Sequence, residues 1–152
     1  MKQHELIEQL KQVDDNIQFK PANTYYWSPK EKTVYYQADD SSEVGLWTLL
    51  HETCHGLLEH KTYTSDFELV TLELAAWKHA DELADTYALQ IDQDHVQDCL
   101  DSYRDWQYKR SLCPRCDLGG MQIDTKTYRC LFCAGSWHVS EARFCRPYRR
   151  KA

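Results

Sequence analysis

Residues 49–60 read LLHETCHGLLEH, and the reading of the fold turns on them. His51 and His55 stand four apart, so on a helix both imidazoles share one face and can hold a single metal ion. Glu52 is next along that helix, within reach of the coordination position the protein leaves open. A zinc ion there lowers the pKa of its water toward about 7, and a carboxylate can take the proton and pass it to a leaving amine. That is the machinery of metal-dependent peptide hydrolysis. The competing reading is two histidines on a plain helix. It leaves Glu52 without a role and sets two seldom-buried side chains beside Trp47.

The flanks of this stretch supply a helix with ends. DDSS at 39–42 offers capping side chains, and the run 43–60 then sets Val44, Trp47, His51, Cys54, His55 and Leu58 along one side. KTYTS at 61–65 is a short connection, and Ser65 with Glu68 three residues on is a capping-box signature. A long helix over 66–89 is expected next, roughly 36 Å in length, with Leu69, Leu72, Ala76, Leu83 and Tyr87 toward the core. Another follows over 93–109, carrying Val96, Cys99, Leu100, Tyr103 and Trp106. Upstream, NTYYW at 23–27 and TVYYQ at 33–37 are joined by SPKEK and read as a β-hairpin. Residues 2–18 read as a helix with the stripe Leu6, Ile7, Leu10, Val13 and Ile17. The expected fold class is α+β: a small, mostly helical core with an N-terminal β-hairpin.

A catalytic metal needs a third protein ligand. Downstream candidates are Glu59, His60, Glu68, Glu73, His79, Asp81 and Glu82. Glu59 and His60 belong to the helix of the histidines and point the wrong way or lie too far along it. The next helix returns antiparallel after five residues, which brings 70–75 level with His51 and His55. Glu73 falls in that window and opens ELAAW, an apolar face where an unpaired carboxylate is costly. Glu82, Glu68 and Asp81 stay as alternatives. Tyr63 and His79 are candidates for stabilising charge on a former carbonyl oxygen.

HETCHGLLEH, followed by an acidic helix with the small-residue phrases ELAAW and DELADTYA, resembles the compact zinc metallopeptidases of the gluzincin type, and within them the ImmA/IrrE group. The resemblance covers about residues 20–90. It implies a zincin-like metallopeptidase fold, His51 and His55 as zinc ligands, Glu52 as catalytic base and a Glu on the following helix as third ligand. Glu73 takes that place if ELAAW is the counterpart. The small-residue phrase recurs at Asp81, Ala84 and Asp85, which keeps a second alignment open. SprT-like proteases, which join the same motif to a C-terminal zinc ribbon, are the second resemblance. Their third ligand is a histidine, a place His79 fits poorly.

Beyond the helices, Cys113-Pro-Arg-Cys116 and Cys130-Leu-Phe-Cys133 form two C-x-x-C pairs. At this spacing two knuckles bring four thiolates to a tetrahedron, which favours zinc over hard cations. MQIDTKTYR between them reads as a short hairpin. The expected cofactors are therefore two zinc ions, one catalytic and one structural. An odd total of seven cysteines in paired short spacings argues against a disulfide framework.

Charge divides the chain where the motifs change. Residues 1–100 carry 7 Lys against 19 Asp and Glu, a balance of −12, while residues 101–152 carry 11 Lys and Arg against 5 acids, a balance of +6. The expected domains are 1–110, the zincin-like metallopeptidase, and 111–152, the zinc ribbon with a basic tail. RFCRPYRRK, which contains Arg143, Phe144, Arg146, Arg149 and Arg150 and follows Trp137 and His138, is a candidate contact for nucleic acid. The competing reading packs Trp137 and Phe144 against the helix that ends near Trp106 and turns the basic tail to the acidic domain.

No apolar run approaches the roughly 20 residues of a bilayer span, and MKQHELIEQL is not a signal peptide, so a cytoplasmic protein without membrane contact is expected. The function expected is a zinc-dependent endopeptidase, a hydrolase acting on a flexible segment of a protein or peptide. The alternative is a non-catalytic zinc-ribbon protein or nucleic-acid-binding regulatory module.

Overall fold

Helix α2, Glu43–Leu57, begins where Ser42 supplies its cap: the Ser42 hydroxyl accepts from the Gly45 N–H at 3.0 Å. Asp40 in turn accepts from the Ser42 N–H and hydroxyl, at 2.9 and 2.6 Å. Leu49, Leu50, Thr53 and Cys54 are all buried, so the helix is enclosed on most of its circumference. Thr53 satisfies its hydroxyl on the Leu49 carbonyl one turn back, at 2.8 Å. The computed structural model describes residues 1–140 and the backbone of residues 149–151. Among these, four α-helices and two small sheets give an α+β arrangement. No helix among the described residues is long and apolar enough to cross a membrane.

The chain divides into two compact units, residues 1–62 with 72–96 and residues 63–71 with 97–152. In the first, helix α1 (Gln3–Leu10) precedes strands β1 (Gln18–Pro21), β2 (Tyr26–Ser28) and β3 (Thr33–Tyr36). The hairpin is β2 with β3, antiparallel through Trp27 opposite Val34. β1 joins the far side of β3 in parallel, Phe19 opposite Val34, so the order is β1-β3-β2 and β2 is an edge. Both α1 and this sheet pack on α2.

The helix expected over 2–18 stops at Leu10. Asp14 ends that path by turning the chain, its carboxylate accepting from the Asn16 N–H at 2.9 Å. Val13 is therefore exposed, while Ile17 is buried just ahead of a strand that helical periodicity had hidden. Helix α2 likewise ends at Leu57, short of His60, because Glu59 adopts a left-handed conformation with φ 55°.

Helix α3, Asp66–Ala84, starts at Ser65, whose hydroxyl accepts from the Glu68 N–H at 3.1 Å. The helix expected to run to 89 ends at Ala84. A single 3-10 turn, Asp85–Tyr87, and a left-handed Ala88 at φ 53° follow it. Helix α4 spans Gln93–Ser111.

The second unit carries β4 (Gly120–Gln122), β5 (Thr127–Cys130), β6 (Ser136–Val139) and β7 (Arg149–Lys151), antiparallel in that order. Its core is Tyr128 stacked on Trp137, ring centroids 5.7 Å apart, with Val139, Cys113 and Cys130. The Trp137 indole donates to the Arg110 carbonyl at 2.9 Å. Arg110 is itself buried, paired with Asp66 at 2.8 Å and lying 4.3 Å above the Trp106 ring, and Tyr128 donates its hydroxyl proton to Asp66. A buried charge pair of this kind is held in place by its further hydrogen bonds.

Candidate metal centre

His51 and His55, one turn apart on α2, turn their Nε2 atoms to the same point, 3.2 Å from one another. Glu73 of α3 meets them there, Oε2 at 3.1 Å from His51 Nε2 and Oε1 at 3.4 Å from His55 Nε2. Donors about 2.0–2.1 Å from a tetrahedral ion lie about 3.3 Å apart, which is close to the separation of the two imidazole nitrogens and to that of each nitrogen from its own Glu73 oxygen. All three residues are buried. Two imidazole lone pairs cannot face each other at this distance unless a proton or a cation lies between them. The donor set therefore fits a metal ion, and these residues could hold one.

The electrostatics of the cluster favour a cation. Burial works to raise the Glu73 pKa, but hydrogen bonds from His51 and His55 together with the charges of the two rings outweigh it and hold the carboxyl well below the usual carboxylate range. Burial pushes the His55 pKa down, yet the bond and charge of Glu73 prevail and leave it raised.

The surroundings orient each donor. The His51 ring stacks on Trp77 of α3, centroids 4.1 Å apart and 20° from parallel. His51 Nδ1 is buried without a hydrogen-bond partner among the described residues. His55 Nδ1 lies 2.8 Å from His60 Nδ1. Glu52 is held by one oxygen: Oε2 accepts from the backbone N–H of Trp27 on the edge strand β2 at 2.9 Å. Its other oxygen, Oε1, is 4.0 Å from His51 Nε2. Gly56 lets β2 come this close, since a Cβ there would meet Ile17 Cδ1 at 2.9 Å and Trp27 Cζ3 at 3.0 Å.

The other candidates for third ligand are engaged elsewhere. Glu68 accepts from the Thr64 N–H at 2.7 Å, Asp81 from the Gln93 side chain at 2.8 Å, and Glu82 lies 3.5 Å from His79 Nδ1. Among the described residues none of these joins the cluster, nor does His79. Tyr63 belongs to the second unit. His60 and Trp77, which fix the two histidine rings, were not singled out for those roles by sequence. The signal for His60 was its place five residues beyond His55, readable only once Glu59 is known to break the helix.

In the second unit Cys113, Cys116, Cys130 and Cys133 bring four sulfurs together. Sγ–Sγ distances are 3.7 Å for Cys113–Cys133, 3.6 Å for Cys116–Cys130 and 4.0 Å for Cys116–Cys133. Thiolates about 2.3 Å from a tetrahedral ion are about 3.8 Å apart, so this cluster too could hold a metal. Both knuckles turn alike: Asp117 and Ala134, each just after the second cysteine, sit at φ 57°. Backbone N–H groups point at the sulfurs, Arg115 to Cys113 at 3.4 Å, and Phe132 and Cys133 to Cys130 at 3.3 and 3.4 Å. Those of Cys133 and Phe132 lower the Cys130 thiol pKa.

The basic region is described in part. Trp137 is fully buried and leaves the set of side chains that could stack on a base, whereas His138 is exposed. Arg143, Phe144, Cys145 and Arg146 lie outside the described residues, and Arg149 and Arg150 are placed by backbone alone, in β7.

Compared with protein-family models, with curated proteins and with solved structures, the chain matches none of them.

Proposed function

We propose that this protein is a zinc-dependent endopeptidase of zincin-like architecture, with the four-cysteine sheet a zinc ribbon that its metal holds folded. One observation carries the reading: three buried donors, His51, His55 and Glu73, converge on one point beside a carboxylate, Glu52, that is tethered at one oxygen and open at the other. Two imidazoles and one carboxylate are a donor set that suits zinc and leaves a coordination position for a reactant. Zinc held there would supply Lewis acidity toward a water molecule and toward the carbonyl of a peptide bond.

The chain's own residues handle the proton. Glu52 accepts it at Oε1 from the attacking water and delivers it to the leaving nitrogen, while the hydroxyl adds to the carbonyl carbon as the C–N bond breaks. The Trp27 N–H keeps Oε2 in place, so the carboxylate spends little freedom on reaching its working orientation. Because β2 is an edge strand beside Glu52, an extended, unfolded protein segment is the substrate that suits the site.

The test is cleavage of an unfolded protein or peptide library by the zinc-loaded chain, with Glu52→Gln as control. Hydrolysis that vanishes in the variant, with zinc still bound, supports the reading. A parent chain that carries zinc at the first site and cleaves no peptide would overturn it.

A further inference from the structure

His60 lies outside α2 and outside the converging donors, yet its ring faces the back of one of them. His55 Nδ1 and His60 Nδ1 are 2.8 Å apart, so one donates a proton and the other accepts it. Two arrangements satisfy that bond. If His60 donates, His55 carries its remaining proton on Nε2, toward Glu73 and His51, and has no lone pair for a cation. If His60 accepts, His55 holds its proton on Nδ1 and presents the Nε2 lone pair at the point that Glu73 and His51 share.

We infer that His60 is a positioning residue of the metal centre: through Nδ1 it accepts the Nδ1 proton of His55 and holds that ligand in the tautomer that can bind metal. The inference rests on the metal reading above and adds to it the residue that orients His55. Such outer partners are usually carboxylates, carbonyls or water. Here the role falls to a neutral imidazole, whose own proton then sits on Nε2.

The backbone places this ring without help from the imidazole. Glu59 turns left-handed, the His60 N–H donates to the His55 carbonyl at 2.9 Å, and the His60 carbonyl accepts from the Trp27 indole at 2.9 Å. His60 therefore returns onto the residue five before it, held by bonds that any side chain at position 60 would keep. Substitution can remove the acceptor and leave the turn. The same indole belongs to the residue whose backbone N–H holds Glu52, so Trp27 seats both groups.

The experiment compares the full-length parent, His60→Phe and His60→Asn by zinc competition with a chromophoric chelator. The four-cysteine site of the same molecule serves as internal reference. Loss of an outer partner of a ligating histidine weakens metal binding about 10–100-fold. His60→Phe should show that loss at the first site alone, and His60→Asn, which restores an acceptor oxygen, should recover part of it. Long-range proton–nitrogen NMR of the zinc-loaded parent should place the His55 proton on Nδ1 and the His60 proton on Nε2. First-site affinity in His60→Phe within about twofold of the parent, or a His60 proton found on Nδ1, overturns the inference while leaving the metal site standing. A loss in His60→Phe that His60→Asn does not recover also overturns it, since the ring would then act by packing. A parent that holds zinc only at its cysteines overturns the metal reading itself.

Discussion

Glu52 and Glu73 are both carboxylates on helices facing the same histidines, and their surroundings give them different work. Glu73 is buried with both oxygens on imidazoles, so in the proposed site it serves as a metal donor. Glu52 keeps Oε1 uncommitted. Glu52→Gln should keep about two zinc ions per chain by metal analysis while turnover falls by about 10²–10⁴. Glu73→Ala should instead drop the count to about one, with the remaining zinc lost only on replacement of Cys113. Much of the cluster could be read from sequence: the four-residue spacing put both imidazoles on one face, and counting back along an antiparallel partner reached Glu73. His60 could not be read that way. Helical periodicity extrapolates through Glu59, and only the left-handed turn there brings the ring back to His55.

At the level of elements, the first site depends on how closely β2 approaches α2, and Gly56 sets that approach. Gly56→Ala would press on Trp27 and Ile17, at a cost of about 1–3 kcal/mol, read as a lowered unfolding midpoint. Because Trp27 also holds Glu52, turnover should fall further than zinc content does. A variant that loses stability and keeps full turnover would show that the amide tether is dispensable. Ser42→Ala, which removes the α2 cap, should cost about 1 kcal/mol in denaturant unfolding and leave the metal count alone. The hairpin and the helix caps were legible because turn and capping residues act locally. Strand β1 was not, because its parallel partner β3 is not its neighbour in the chain and Ile17 happens to continue the apolar stripe of α1.

For the molecule as a whole, the two donor clusters differ in what they support. The sheet of the second unit has a core of a few side chains around Tyr128 and Trp137, two of them cysteines of the cluster. A metal held there would contribute folding energy directly. Treatment with a strong chelator should therefore abolish the near-ultraviolet circular dichroism of the stacked Tyr128–Trp137 pair, and zinc should restore it. A signal that survives complete zinc removal would mean that the Arg110–Asp66 network and the aromatic stack hold the sheet unaided. Charge asymmetry along the chain was plain in the sequence. The fate of Trp137 was not, since an aromatic beside arginines reads equally as a stacking platform or a core residue until its indole is seen bonded to the Arg110 carbonyl.

Cys54, between His51 and His55, has no exposed surface, and burial followed by the charge of Glu82 pushes its thiol up to about 12. Alkylating reagents react with thiolate, so in the closed state this sulfur is doubly shielded, by access and by protonation. Its labelling then proceeds only through molecules that have transiently opened around α2, and the rate of labelling becomes a stopwatch for that opening. Followed by mass spectrometry with and without added zinc, at reagent concentrations high enough that labelling outpaces reclosing, the stopwatch would time how long the helix stays shut, at a position one residue from His55 and without any substrate in the tube.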